Sequence, residues 1–208
     1  MLKNIVFDLG NVLFYLDFTE TIRCLEKHLL PGSQVQDIFR EVIRGHEFEL
    51  FNKGKVSKEE FFRYVSQFLD KNISEEDFWH CYSNIFIPNQ QLIKAIPILK
   101  KKFHLSLLSN TDEAHMDYLH HRYPDLFEQF HDKVYSYQVG AMKPEPEIFD
   151  VLCRKTGVMP RYSLFVDDLE DNVRSAEKKG FQGFLFKNNT EEFFEYIAEL
   201  QLCPGQKH

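Results

Sequence analysis

The stretch Ile5-Val6-Phe7-Asp8-Leu9-Gly10-Asn11-Val12-Leu13 begins with three strand-forming residues and continues into a carboxylate and a glycine. Three adjacent apolar residues without alternation predict a strand buried on both faces of a sheet. Asp8 therefore stands where this strand ends. It either caps the following turn or lies at the carboxyl end of a parallel strand, where open α/β sheets bind their ligands.

The composition indicates a soluble protein with a full core. The chain has 208 residues, 43% of them hydrophobic, with 21 Phe and 9 Tyr. A net charge of −7 and the lack of a basic block argue against a nucleic-acid partner. Apolar runs stop well short of the ~18 residues that a membrane span needs, and the four residues before the first strand leave no room for a signal peptide.

The cysteines show no CxxC or zinc spacing, and they are Cys24, Cys81, Cys153 and Cys203. We expect them to be reduced thiols in a cytoplasmic protein that contacts no membrane.

Residues 15–85 carry apolar positions at helical spacing and no convincing strand. Ser33, Ser57 and Ser74 are each followed three residues later by Gln, Glu or Asp, which predicts three helix N-termini. We therefore predict an inserted helical cap of residues 15–85 in an α/β core of residues 1–14 and 86–208.

After residue 86, short apolar runs alternate with helical patterns. Strands are predicted at 105–108, 134–136, 164–166 and 184–186, with a helix after each. This alternation predicts an α/β fold with a doubly wound parallel sheet. The helix after residue 111 carries His115, His120 and His121, which we expect to be exposed because their spacing does not suit zinc.

Polar residues follow the predicted strands, and they are Ser109, Asn110, Lys143, Asp167 and Asp168. Each has an ordinary explanation alone, such as helix capping by Asn110 or a surface position for Lys143. Together with Asp8, however, three carboxylates would meet at one sheet edge and repel one another without a cation. Oxygen ligands select a hard ion such as Mg²⁺. With a hydroxyl and a lysine beside them, they predict a site that handles a phosphoryl group.

These motifs resemble those of the haloacid dehalogenase superfamily of phosphohydrolases over the whole chain. The four matching segments are 7–12, 108–111, 143–144 and 166–172. The insertion after the first segment resembles the family's small helical cap. Three segments are similar in sequence to bacterial sugar phosphatases of the α-D-glucose-1-phosphate phosphatase type. They are the first matching segment and, in the cap, Gly45-His46-Glu47 and Lys53-Gly54-Lys55-Val56-Ser57.

The resemblance implies a role for each matched residue. Asp8 would attack phosphorus and become an aspartyl phosphate, while Lys143 would neutralise charge on Asp8 and the phosphoryl group. Ser109 and the Asn110 amide would bind phosphoryl oxygens. The residues implied around Mg²⁺ are Asp8, the main-chain carbonyl of Gly10, Asp168, Asp167 and Asn172.

Gly10 departs from the family pattern, because most of its phosphatases carry there a second Asp that protonates the leaving group. Such help is typically worth ~10²–10⁴-fold in rate. We expect either a substrate with a good leaving group, such as an anomeric sugar phosphate or an acyl phosphate, or a proton from His46, Glu47 or Asp17. The residues expected to face substrate are Phe14, Tyr15, His46 and Glu47.

We therefore predict a Mg²⁺-dependent phosphatase for a small phosphorylated metabolite, with a sugar phosphate favoured. Gly10 also motivates an alternative, a catalytically weak protein that binds phosphate or a partner. A metal-free haloacid dehalogenase is disfavoured by Asp167 and Asp168 and by the lack of an aromatic residue at position 10. A phosphoaspartate signalling switch is disfavoured by the helical lobe and by the early position of Asp8.

Overall fold

The structure, a computed structural model, describes residues 1–70 and 73–202. Its strands are, in chain order, β1 (Asn4–Phe7), β2 (Phe14–Leu16), β3 (Phe86–Pro88), β4 (His104–Ser109), β5 (Asp132–Tyr135), β6 (Ser163–Asp167) and β7 (Gln182–Leu185). Five of them form one parallel sheet in the order β5-β4-β1-β6-β7. The first apolar run is thus the central strand, and Ile5, Val6 and Phe7 are fully buried as predicted.

Helices cover both faces of the sheet. The insertion contains α1 (Thr19–Glu26), α2 (Val35–Arg44), α3 (His46–Asn52), α4 (Lys58–Val65) and α5 (Glu75–Ser83). The remaining helices are α6 (Gln90–Lys100), α7 (Glu113–Arg122), α8 (Pro124–Phe127), α9 (Ser136–Val139), α10 (Pro146–Thr156), α11 (Glu170–Lys178) and α12 (Thr190–Leu202). Residues of α6, α7 and α12 pack with Ile5 and Phe7 on one face, whereas α10 and α11 pack with Val6 on the other. This is the predicted doubly wound α/β fold.

A two-stranded ribbon joins the ends of the helical insertion. β2 and β3 pair antiparallel, with Tyr15 opposite Ile87, and Asp17 N–H donates to the Ile85 carbonyl at 2.8 Å. The expectation that residues 15–85 contain no strand is therefore wrong at its first two positions. Three-residue strands have too few residues for alternation to be visible in the sequence.

Two of the three predicted helix starts are confirmed. Ser57 and Glu60 form a reciprocal capping box at α4, and Ser74 accepts the Asp77 N–H at α5. The prediction at Ser33 is wrong, because Gln34 is the N-cap of α2 and no side chain caps this helix, while the Ser33 N–H donates to the Leu30 carbonyl in the preceding turn. Helix α2 then begins at Val35, after Gln34.

The expectation of reduced thiols is wrong for Cys24 and Cys81, which form a disulfide between α1 and α5. Thr21 reinforces this contact by donating to the Cys81 carbonyl at 2.8 Å. Cys153 is a free, half-buried thiol, and the tail that contains Cys203 lies outside the described residues.

Within the described ranges, none of the helices combines the length and apolar character that crossing a membrane requires.

Candidate phosphoryl-transfer site

The carboxyl ends of β1, β4 and β6 meet at one edge of the sheet. Phe7 lies opposite Leu107 and Val166 in the two neighbouring strands, and Asp8 N–H donates to the Val166 carbonyl at 2.9 Å. This register places Asp8 level with Leu108 and Asp167, and Ser109, the last residue of β4, follows one position later. The predicted grouping of polar residues at the sheet edge is therefore present.

Asp8, Asp167 and Asp168 form a compact acidic cluster. Each offers a carboxylate oxygen, and these oxygens lie within 4.8 Å of one another. Burial raises the pKa of Asp8 from 3.8 to about 7, although the nearby Lys143 acts to lower it. Burial also raises the pKa of Asp168. Oxygen donors crowded in this way fit a hard divalent cation such as Mg²⁺.

Lys143 is the positive charge of the site. Its buried ammonium donates to Asp8 Oδ1 at 2.7 Å, to Asp167 Oδ2 at 2.7 Å and to the Leu108 carbonyl at 2.9 Å. Burial acts to lower the pKa of Lys143, but the two carboxylates outweigh it and hold the pKa above its usual value. All three N–H bonds are thus used, and the orientation of the ammonium is defined.

The two adjacent acids have different surroundings. Asp167 Oδ1 accepts the Leu169 N–H and the Asn172 amide, both at 2.9 Å, while Oδ2 accepts Lys143. Within the described ranges, Asp168 accepts one side-chain hydrogen bond, from Asn11 at 3.0 Å. Asp167 therefore orients Lys143, and Asp168 keeps an oxygen that can hold a metal. Asn172 is buried and contacts Asp167.

Asn11 belongs to the site, although we assigned it no role from the sequence. It has φ of 51°, a left-handed conformation that Asn tolerates better than most residues. Its Nδ2 donates to Asp168, and its Oδ1 accepts the Leu16 N–H at 3.3 Å. Asn11 thereby connects the loop that carries Gly10 to the acidic cluster. The signal in the sequence that could have identified Asn11 is its polar side chain within the otherwise apolar run of residues 9–13.

Asn110 positions Lys143 rather than capping α7. Its side chain accepts the Lys143 N–H at 2.7 Å and donates to the Lys143 carbonyl at 2.8 Å. Asp112 caps α7 instead, by accepting the His115 N–H at 2.9 Å. Ser109, which precedes Asn110 in the chain, is buried. The peptide bond between Lys143 and Pro144 is cis.

Position 10 has room for a side chain that it lacks. A Cβ at Gly10 would lie 3.4 Å from Leu16 Cδ1, an ordinary contact. Of the alternative acids, Asp17 is exposed and accepts two hydrogen bonds from Thr19, which lower its pKa. His46 is exposed and Glu47 half-buried, both in the first turn of α3.

The expected substrate-facing residues differ in exposure. Tyr15 is half-buried. Phe14 is fully buried, with its ring 5.9 Å from that of Phe86 and 5.0 Å from that of Tyr123. This position corrects the expectation for Phe14, which packs in the core because it follows the apolar run of β1 into the ribbon.

A buried polar network joins the cap to the core behind the site. Tyr82 of α5 donates to Asp112 Oδ2 at 2.8 Å, and His115 Nδ1 lies 2.7 Å from the same oxygen. The rings of Tyr82 and His115 stack at 4.4 Å. His115 was expected to be exposed, but it is buried, because the cap covers this face of α7.

A cleft of about 390 Å³ lies between the cap and the core. The cap contributes Phe51, Lys55 and Glu60 to its walls, and the core contributes Glu113 and Tyr137. Glu113 opens α7, directly after the loop that contains Ser109 and Asn110. Among the described residues, the walls of this cleft include none of Asp8, Lys143 and Asp167.

Comparison with known proteins agrees with this geometry. Residues 2–180 match a family model described as haloacid dehalogenase-like hydrolase. The chain is 29% identical over 202 residues to D-ribitol-5-phosphate phosphatase of Bacteroides thetaiotaomicron, covering 92% of this chain and 95% of that protein.

Two solved structures are similar over nearly the full chain. A HAD family enzyme of Bacteroides thetaiotaomicron, in complex with magnesium and inorganic phosphate, has a TM-score of 0.83 at 25% identity, covering 93% of this chain and 100% of that one. A HAD-like family hydrolase of Porphyromonas gingivalis has a TM-score of 0.83 at 28% identity, covering 100% of both chains.

Proposed function

This chain belongs to the haloacid dehalogenase-like hydrolases, and from that premise we propose that it is a Mg²⁺-dependent phosphatase of small phosphorylated metabolites. The observation that carries the proposal is the position of Lys143, whose ammonium bridges Asp8 and Asp167 beside a third carboxylate. This arrangement supplies a nucleophile, a positive charge and a cation site within one sheet edge.

Asp8 is the proposed nucleophile. Lys143 binds its Oδ1, which leaves Oδ2 to attack phosphorus. The bond from Oδ2 to phosphorus forms as the ester P–O bond breaks, and the departing oxygen takes up a proton. Water then hydrolyses the aspartyl phosphate, releases phosphate and regenerates Asp8.

The remaining residues bind and orient the phosphoryl group. Ser109 and the Asn110 amide lie before the N-terminus of α7, where free N–H groups favour anions. The residues that would hold Mg²⁺ are Asp8, the Gly10 carbonyl and Asp168. When bound, the ion neutralises negative charge on the carboxylates and phosphoryl oxygens.

We propose a phosphorylated sugar or polyol as the substrate class. Support comes from the similarity to a D-ribitol-5-phosphate phosphatase over 92% of this chain. Because Gly10 cannot protonate an alkoxide, the substrate either has a good leaving group or receives a proton from Asp17, His46 or Glu47.

The cap is proposed to select this substrate by closing over the site. We retain the division into a core of residues 1–14 and 86–208 and a cap of residues 15–85. The β2–β3 ribbon lies at the boundary and is the proposed hinge.

A phosphate-release assay tests this proposal. Wild-type protein with Mg²⁺ is given polyol, hexose, anomeric sugar and acyl phosphates, and we expect turnover that rises steeply as the pKa of the leaving group falls. Equal rates on alkyl and acyl phosphates would contradict the leaving-group hypothesis. Magnesium and phosphate binding without turnover on any ester would favour the alternative, a catalytically weak binding protein.

A further inference from the structure

Lys53 of the cap and Glu145 of the core form an ion pair across the domain boundary. Lys53 caps the C-terminus of α3, and its ammonium lies 2.6 Å from Glu145 Oε1 and 2.8 Å from Glu49 Oε1. The side chains of Lys53 and Glu145 are 19% and 39% exposed, so the pair is partly open to solvent. The hydrogen bond with Glu145 raises the pKa of Lys53.

Glu145 is also part of the loop that carries Lys143. Its Oε2 accepts the Met142 N–H at 3.0 Å, and its own N–H donates to the Met142 carbonyl at 2.8 Å. Lys143 lies between these two residues, and Asn110 holds its backbone from the other side. Because hydrogen bonds between Glu145 and Met142 enclose Lys143, a displacement of Glu145 should also shift the backbone of Lys143.

A second contact seats the same cap turn on the core. Gly54 has φ of 61°, and a Cβ there would lie 2.0 Å from the Tyr137 carbonyl oxygen. Only a residue without a side chain permits this approach of the two backbones. The turn that follows α3 thus rests directly on α9, and Lys53 reaches Glu145 from it.

We propose that the pair of Lys53 and Glu145 couples the seating of the cap to the placement of Lys143, so that Glu145 is a positioning residue for phosphoryl transfer. This inference rests on the proposed function. Lys143 can stabilise charge on the phosphoryl group only when its ammonium is correctly placed. The ion pair links that placement to a cap that is closed over substrate.

The chain provides a matched control. Lys58 of α4 and Asp117 of α7 also pair across the boundary, with Nζ and Oδ2 3.2 Å apart. Asp117 is 64% exposed and lies in the second turn of α7, and its hydrogen bond within the described ranges is to Lys58, not to the loop of Lys143. If the Lys53–Glu145 pair only held the cap against the core, removing either ion pair would change the loop of Lys143 to the same extent.

Amide hydrogen exchange tests the coupling without any substrate. We expect Lys53→Met to speed exchange of the Met142, Lys143 and Glu145 amides by about tenfold, although the substitution is in the cap. Lys53→Arg, which keeps the pair, and Lys58→Met should leave these amides unchanged. Unchanged exchange in Lys53→Met, or equal acceleration in Lys58→Met, would overturn the proposal.

A double-mutant cycle tests its consequence for the reaction. Lys53→Met and Glu145→Gln should each lower kcat about tenfold with KM within about twofold, and the double variant should be no worse than either. Additive losses, unchanged kcat, or the same loss in Lys58→Met would contradict it. A wild type without turnover would refute the proposed function, and the exchange experiment would still decide the coupling.

Discussion

In the proposed reaction an acid at position 10 would assist the departing group, and the structure leaves space for a side chain at Gly10. Because a Cβ at this position meets no described residue other than Leu16, at 3.4 Å or beyond, we expect Gly10→Asp to fold. The new carboxylate should raise kcat/KM for alkyl phosphates by at least about tenfold, since general acid help is typically worth ~10²–10⁴. Phosphate release from an alkyl and an aryl ester measures the effect.

The aryl ester serves as the control for Gly10→Asp, because its leaving group needs little protonation. An equal gain on both esters would mean that the substitution acts through binding. If the alkyl ester gains nothing, another residue already supplies the proton.

We expect the ionised Asp8 carboxylate to reduce the stability of the folded chain. Its pKa in the folded chain, about 7, lies above the ordinary 3.8. The contribution of this group to stability is therefore greatest below about pH 4 and is lost as the pH rises through 7. In EDTA at pH 8, Asp8→Asn should raise the free energy of unfolding by about 1–3 kcal/mol.

Urea denaturation across the pH range checks this prediction. The gain from Asp8→Asn should shrink towards zero below about pH 3, where the wild-type carboxyl is protonated in both states. Asp171→Asn, at an exposed acid in the first turn of α11, should change stability by less than about 0.5 kcal/mol. Lower stability of Asp8→Asn at pH 8 would contradict the account.

Individual site residues were predictable where a local rule applied to them. Asp8, Ser109 and Asp167 end buried strands, so their meeting follows from a parallel sheet alone. The clamp of Asn110 on Lys143 was not predictable, because it joins loops 33 positions apart. A capping position explained Asn110 equally well from sequence.

At the scale of elements, the disulfide between α1 and α5 is the main addition to the sequence prediction. Cys24 and Cys81 are 57 positions apart, and their spacing matches no motif, so only the packing of the first and last cap helices brings them together. The sequence did not predict the β2–β3 ribbon for a related reason, because both strands are short and pair only in the folded chain.

Thiol titration of denatured protein tests the disulfide. We expect two fewer reactive thiols without reductant than after full reduction, and reduction should destabilise the protein by about 2–4 kcal/mol because it frees a long loop. Cys153→Ser, at a free cysteine of the core, should leave this difference of two thiols intact. Equal thiol counts before and after reduction would show that α1 and α5 are not cross-linked.

At the scale of the whole molecule, the cap and core are connected by a buried network as well as by surface pairs. Tyr82→Phe keeps the ring stacked on His115 but removes the hydroxyl that donates to the fully buried Asp112. Losing a donor to a buried carboxylate should lower the free energy of unfolding by about 1–3 kcal/mol. Urea denaturation at constant pH measures it.

Tyr118→Phe is the matched control for Tyr82→Phe. The Tyr118 hydroxyl donates to Asn84 at 3.2 Å in a solvent-exposed hydrogen bond, so its removal should change stability by less than about 0.5 kcal/mol. Equal losses in the two variants would show that burial of Asp112 is not what makes the Tyr82 hydroxyl important.

The order of the five strands of the parallel sheet along the chain was readable, because short apolar runs alternate with helical patterns there. The relation of cap to core was not readable. It depends on contacts such as Gly54 with Tyr137 and Tyr82 with Asp112, which join residues far apart in sequence. Such contacts form only when the whole chain has folded.

Hydrolysis of p-nitrophenyl phosphate by the wild type and Asp8→Asn, each with Mg²⁺ and with EDTA, tests the central claim most directly. This ester does not need the acid that Gly10 lacks, so it isolates the nucleophile and the metal. We expect turnover only in the wild type with Mg²⁺. Turnover that survives either EDTA or the loss of Asp8 would contradict it.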